Sequence, residues 1–83
     1  MNKMPIVKEK DIIYLGQTKM LVTRVYSEAE KDFNGDIQIV YHKGYGSKAT
    51  KCDLIWSGND WKTKGESYEG TYVNLTDFPE LLK

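Results

Sequence analysis

The chain has 83 residues, of which 12 are basic, 12 are acidic and one is cysteine. This length predicts one small domain over residues 1–83, and the balanced charge excludes an overall field that would steer the protein to nucleic acid. No apolar run is long enough to span a membrane, and the opening MNKMPIVKEKD lacks the apolar core of a signal peptide. The lone Cys52 cannot form an internal disulfide. We therefore expect a cytoplasmic protein without a membrane partner.

The first third of the chain reads as short strands. Residues 1–10 are mostly polar and contain a proline, and Ile6 and Val7 within them predict a short edge strand. The run DIIYL at 11–15 is rich in β-forming residues and ends at a Gly16-Gln17-Thr18 turn. The next run, KMLVTRVY at 19–26, carries apolar residues on both faces, as expected of a strand that bends round a small barrel.

An acidic segment then leads to the clearest strand. Residues 27–34 predict a loop with at most one helical turn, closed by Asn34-Gly35. Residues 36–43 alternate, with Ile37, Ile39 and Tyr41 facing the core and Gln38, Val40 and His42 facing outward.

The turn at Tyr45-Gly46 predicts the register of the next hairpin. A two-residue loop there places Tyr41 opposite Thr50, Ile39 opposite Cys52 and Ile37 opposite Leu54. Every inward residue then meets an inward residue, so the register agrees with the hydrophobic pattern.

The stretch WSGNDW, at 56–61, predicts a second hairpin. Gly58-Asn59 is a favoured two-residue turn and sets Trp56 across from Trp61 on one face. Parity assigns Trp56 to the core. Trp61 has two interpretations: it closes the barrel with Phe78 and Leu81, or it presents an exposed ring edge to a partner.

The C-terminal part predicts a loop at 65–70, a short strand at 71–74, and a helical turn that begins at Asp77-Phe78-Pro79-Glu80 with Asp77 as its cap. The predicted fold is therefore mainly β. It is a small SH3-like barrel or a strongly bent antiparallel meander of about five or six strands, with a short C-terminal helical turn.

Two motifs resemble a known family. KMLVT at 19–23 follows a short strand and a glycine turn, and YHKGYGSK at 41–48 is followed by CDL at 52–54. Over about residues 7–54 the chain resembles the YodC-like family of small uncharacterised bacterial proteins. The resemblance implies a compact SH3-like barrel and no activity. The chain departs from the family in its acidic loop and in everything after Leu54.

The residues argue against an enzyme and against a metal or cofactor. A structural zinc needs about four Cys or His ligands, whereas the chain has His42 and Cys52 alone. These two do not form a nucleophile–base pair either, because Cys52 is predicted to face inward and His42 outward. Gly44-Tyr45-Gly46 lacks the lysine-serine ending and the following helix of a phosphate loop.

We therefore expect a non-enzymatic binding module with an unknown protein partner. A small accessory or phage-borne protein that blocks a larger host complex would be one instance. The candidate contact residues are Trp61, Tyr45, Tyr68, Tyr72 and His42.

The alternative is a weak single-stranded nucleic-acid binder, in which lysines track phosphates and rings stack on bases. Its footprint would be Lys43, Lys48, Lys51, Lys62 and Lys64.

Overall fold

In the computed structural model, which describes residues 3–42, 44, 46–64 and 71–82, six strands and one helical turn follow one another along the chain. The strands are β1 (Ile12–Leu15), β2 (Thr18–Val25), β3 (Ile37–His42), β4 (Lys48–Trp56), β5 (Trp61–Thr63) and β6 (Thr71–Asn74). The helical turn α1 (Lys31–Asn34) lies between β2 and β3, and two 3-10 turns, Leu75–Asp77 and Pro79–Leu82, follow β6.

The strands form one antiparallel sheet in the order β1-β2-β3-β4-β5. It curls into a half-barrel. The sixth strand pairs with β4 as well, because β4 is long enough to hold β6 along Lys48 to Lys51 and β5 along Leu54 to Trp56. The mainly antiparallel, strongly bent meander predicted from the sequence is confirmed.

The predicted hairpin register between β3 and β4 is confirmed residue by residue. Tyr41 pairs with Thr50, Ile39 with Cys52 and Ile37 with Leu54. The hydrophobic alternation fixed this register, since a slip of one residue would turn both strands' apolar side chains away from the core.

One face of the curled sheet, which we call the inner face, buries the larger core. Its buried members are Met20, Val22, Ile37, Ile39, Cys52, Leu54 and Trp61. Ile37, Ile39 and Leu54 have no exposed surface. The prediction that Cys52 is a small buried residue is thus confirmed, at 3% exposure.

The opposite, outer face carries a second and smaller cluster of Val40, Ala49 and Leu75. The prediction that Val40 faces solvent is wrong, because its side chain is fully buried. The chain returns after β6, and the two 3-10 turns bring Leu75, Phe78 and Leu81 onto this face. The predicted C-terminal helical turn is therefore present as two 3-10 turns, but the predicted cap at Asp77 is wrong, because Asp77 lies inside the first turn.

The predicted edge strand at Ile6 and Val7 is also wrong. Residues 3–10 form no strand, Ile6 is 99% exposed, and Val7 packs against the inner core together with Met4. The chain instead turns at Lys10, whose N–H donates to Val22 O at 2.7 Å while Val22 N–H donates to Asp11 O at 2.8 Å. Two residues thus face one, which is a β-bulge that bends the chain away from the sheet.

The acidic segment forms the single helical turn that its short length allowed. Gly35 ends it with φ of 84° and donates its N–H to Lys31 O at 3.1 Å. A Cβ at Gly35 would lie 2.8 Å from Leu54 O, so glycine is required here by both conformation and space.

Candidate functional site

The two tryptophans are paired as predicted, but their roles are exchanged. Trp56 faces Trp61 across the hairpin, with ring centroids 5.2 Å apart and planes inclined by 66°. Trp61 is the buried ring, at 5% exposure, and Trp56 is half-buried. The interpretation that Trp61 presents an exposed ring edge is therefore wrong, because the inner core and the Trp56 ring together cover it. The interpretation that Phe78 and Leu81 help to cover it is also wrong, because these two pack against the outer cluster.

Tyr72 is the one predicted contact residue with a largely exposed ring among those that the structure describes, at 68% exposure. It lies on β6 opposite Thr50, which in turn pairs with Tyr41 on β3. These three residues form a row on one face of the sheet, from the half-buried Tyr41 through the buried Thr50 to the exposed Tyr72. Tyr72 is thus the exposed end of a row whose central residue, Thr50, is buried.

The backbone of β6 offers further groups at this place. Leu75 N–H donates to Ser47 O at 2.8 Å, which makes these two a hydrogen-bonded pair across the ladder. Because such pairs alternate along antiparallel strands, the backbone groups of Tyr72 and Asn74 point away from β4. Among the described strands β6 pairs only with β4, so the side of β6 that faces away from β4 is a sheet edge. Asn74 Oδ1 accepts a hydrogen bond from Lys48 Nζ at 3.0 Å.

The remaining predicted contact residues do not gather round Tyr72. His42 ends β3 on the outer face, opposite Ala49, and its Nε2 lies 3.1 Å from Gly46 O. Tyr45 and Tyr68 lie outside the described residues, as does Lys43.

The lysines that would bind nucleic acid in the alternative hypothesis do not all lie on one face of the sheet. Lys51 lies on the outer face of β4, and Lys62 and Lys64 lie on the same face across from Ile55 and Asp53. Lys48 has the opposite parity and contacts Asn74 instead. Three of the five lysines therefore share a face.

That outer face also holds a buried tyrosine, Tyr26. Tyr26 is 5% exposed and donates its hydroxyl proton to Asp53 Oδ1 at 2.6 Å, while Gln38 Nε2 donates to the Tyr26 oxygen at 3.2 Å. Burial, and then the hydrogen bond and charge of Asp53, raise the pKa of Tyr26 to about 12. Asp53, which sits among the lysines, is thus engaged by a tyrosine and lowers the positive charge of the face.

The Cys52 thiol is poorly suited to chemistry. Burial, and then the charge of Asp53, raise the pKa of Cys52 to about 11. The thiolate is the reactive form of cysteine, so this shift suppresses nucleophilic reactions near neutral pH. His42 and Cys52 also lie on opposite faces of the sheet, because the inward residue of β3 beside Cys52 is Ile39.

The sequence reading missed a second exposed edge, on β1. Ile12 and Tyr14 are 37% and 61% exposed, and β1 pairs only with β2 among the described strands. The signal was present in the alternation of DIIYL, which sets Ile12 and Tyr14 on one face and Ile13 and Leu15 on the other.

Comparisons of the chain with protein-family models, with curated proteins and with solved structures found no match. The resemblance to the YodC-like family accordingly stays a prediction. In the part of the chain that the structure describes, no helix is long and apolar enough to cross a membrane.

Proposed function

We propose that the protein is a non-enzymatic binding module that recognises a protein partner at the β6 edge, with Tyr72 as its principal contact. The observation that carries the proposal is the exposed Tyr72 ring beside outward-pointing backbone groups on a strand with one described neighbour. A partner segment in extended conformation would add a strand there and cover the tyrosine.

The chemistry of this edge suits such recognition. Main-chain hydrogen bonds supply affinity in strand addition, and side chains that alternate along the edge supply specificity. Tyrosine is a frequent energetic centre of protein interfaces, because it offers a large amphipathic ring with few rotatable bonds. The Asn74–Lys48 pair beside it provides donors and acceptors for a polar partner side chain.

The non-enzymatic part of the proposal rests on Cys52 and His42. The thiol is buried with a raised pKa, and the imidazole lies on the other face of the sheet, so these two do not act as nucleophile and base.

A site-specific cross-linking experiment tests the proposal. A photoreactive amino acid replaces Tyr72, and the protein is irradiated in cells of its native host. We expect one predominant covalent adduct with a host protein, and no equivalent adduct when the photoreactive residue replaces Thr76, which is exposed on the first 3-10 turn.

The purified partner then allows a quantitative control. Tyr72→Ala is expected to weaken its binding by about tenfold or more, and Tyr72→Phe by less, because the ring is retained. Equal binding by wild type and Tyr72→Ala would rule out this surface as the binding site.

The register favours one second candidate, weak binding of single-stranded nucleic acid by the face that carries Lys51, Lys62 and Lys64. Binding to an oligonucleotide would then weaken steeply with salt, because neutralised phosphates release counterions. We expect no binding tighter than about micromolar at physiological salt. Tight binding that is lost in Lys51→Glu would favour this candidate over protein recognition.

A further inference from the structure

The four residues of β6 are Thr-Tyr-Val-Asn, and the β1 edge is more apolar than that. Its four residues are Ile-Ile-Tyr-Leu, without lysine, proline or an internal bulge. Natural sheets usually protect an exposed edge with one of these features, because unpaired backbone groups attract another strand. Only the bulge at Lys10 borders it, just before the strand begins.

The direction of the backbone groups on β1 follows from one hydrogen bond. Val22 N–H donates to Asp11 O at 2.8 Å, so Asp11 and Ile13 direct their backbone groups toward β2. Ile12 and Tyr14 direct their backbone groups away from β2, toward the unpaired edge of the sheet. Their side chains are also the exposed ones, so the same two residues offer both hydrogen bonds and apolar surface.

This arrangement is complementary to itself. When two β1 strands meet antiparallel about a two-fold axis through Ile13, Ile12 of each copy lies opposite Tyr14 of the other. Both hydrogen-bonded pairs then use outward-pointing backbone groups, and each sets an isoleucine against a tyrosine ring on the same face. Aromatic and β-branched residues are favourable cross-strand partners.

We propose that a second copy of this chain occupies the β1 edge, so that two half-barrel sheets join through antiparallel β1–β1 pairing. The β6 edge does not have this property. The same two-fold register there would set Tyr72 opposite Asn74, whose side chain is already engaged by Lys48. The apolar edge therefore takes a second copy, and the polar edge takes a different partner.

The size of the contact determines its strength. A standard stable interface buries about 800 Å² on each partner, and a strand of four residues supplies less than that. The dimer is therefore weak, with a dissociation constant between about 10 µM and about 1 mM, and it forms as the protein is concentrated.

Sedimentation equilibrium of the purified protein, from about 10 µM to about 1 mM, tests the association. We expect a monomer–dimer equilibrium. Tyr14→Lys should raise the dissociation constant of the dimer by about tenfold or more, because it removes the ring that covers Ile12 of the other copy. Tyr72→Lys is the matched control, because it places the same charge at the outward position of the other edge and leaves the dimer unchanged. Circular dichroism verifies that each variant is folded.

The register is tested separately by a disulfide. Ile13 lies on the two-fold axis as a non-hydrogen-bonded pair, where Cα atoms are about 4.5 Å apart, within reach of a disulfide. Ile13→Cys should oxidise to a covalent dimer faster than Gln17→Cys, an exposed position in the β1–β2 turn that the axis does not bring near its counterpart. A wild-type protein that stays monomeric up to about 1 mM, or a dimer insensitive to Tyr14→Lys, would overturn the proposal. Either result leaves the test at Tyr72 unaffected.

Discussion

The two faces of the curled sheet are buried by different means. On the inner face, alternate residues of neighbouring strands meet one another, and Ile37, Ile39 and Leu54 are completely enclosed. On the outer face, Val40 and Ala49 are enclosed only because Leu75 and the two 3-10 turns cover them. The inner core is therefore a property of the strand pattern, whereas the outer cluster depends on where the end of the chain returns.

The largest expected effect concerns the inner core. Trp61→Ala should lower the free energy of unfolding by about 3–5 kcal/mol, because it empties a large buried site. Trp56→Ala should cost less, because that ring is half-buried at the rim. Urea titration followed by circular dichroism measures both. If alanine unfolds the chain, Trp61→Phe and Trp56→Phe give the same ranking. A greater cost at Trp56 would reverse the assignment.

The same contrast explains how much the sequence could predict. The β3–β4 register followed from alternation at Ile37, Ile39 and Leu54, because period-two patterns report directly on which side of a strand is buried. The burial of Val40 could not be predicted in this way, because residue parity says nothing about a distant segment that packs on the outer face.

The candidate site was predictable to a similar degree. The short strand that carries Tyr72, and Tyr72 as a candidate contact residue, were expected from the sequence. The exposure of Tyr14 was not, because every tyrosine is apolar enough to cover a core. Which of the two tryptophan rings, Trp56 or Trp61, is buried depends on the curl of the sheet. Residue parity does not describe that curl.

The outer cluster should be less costly to disturb. Leu75→Ala is expected to lower the free energy of unfolding by about 2–3 kcal/mol, at the lower end of buried leucine truncations, because few buried residues surround it. Thr76→Ala, at the exposed neighbouring position, should change stability by less than about 0.5 kcal/mol. Urea titration measures both variants. A cost as great as that of Trp61→Ala would show that the two clusters are equally important to the fold.

Alkaline pH should weaken both faces together. The pKa values of Cys52 on the inner face and of Tyr26 on the outer face are raised to about 11 and about 12. An acid whose pKa is raised in the folded state keeps its proton there while the unfolded chain releases it. This contribution is therefore complete below about pH 8 and is lost as the pH rises toward about 12.

The size of that loss can be measured by comparing variants. Between pH 8 and pH 10.5, the wild type should lose on the order of 2–3 kcal/mol more stability than the double variant Cys52→Ala/Tyr26→Phe, in which neither group titrates. Lysine deprotonation affects both proteins alike and cancels in the comparison. Equal losses in the two proteins would mean that neither group is shifted by its burial.

The smallest effect is expected where the N-terminal segment turns onto the inner core. Lys10 is the one non-glycine residue with positive φ in the part of the chain that the structure describes, at 75°. A lysine side chain is strained in that conformation and glycine is not, while the bulge hydrogen bonds use backbone atoms alone. Lys10→Gly should therefore raise the free energy of unfolding by about 1 kcal/mol. Lys8→Gly, in the same turn but without a positive φ, should lower it slightly. If both substitutions destabilise equally, the positive φ of Lys10 is not a source of strain.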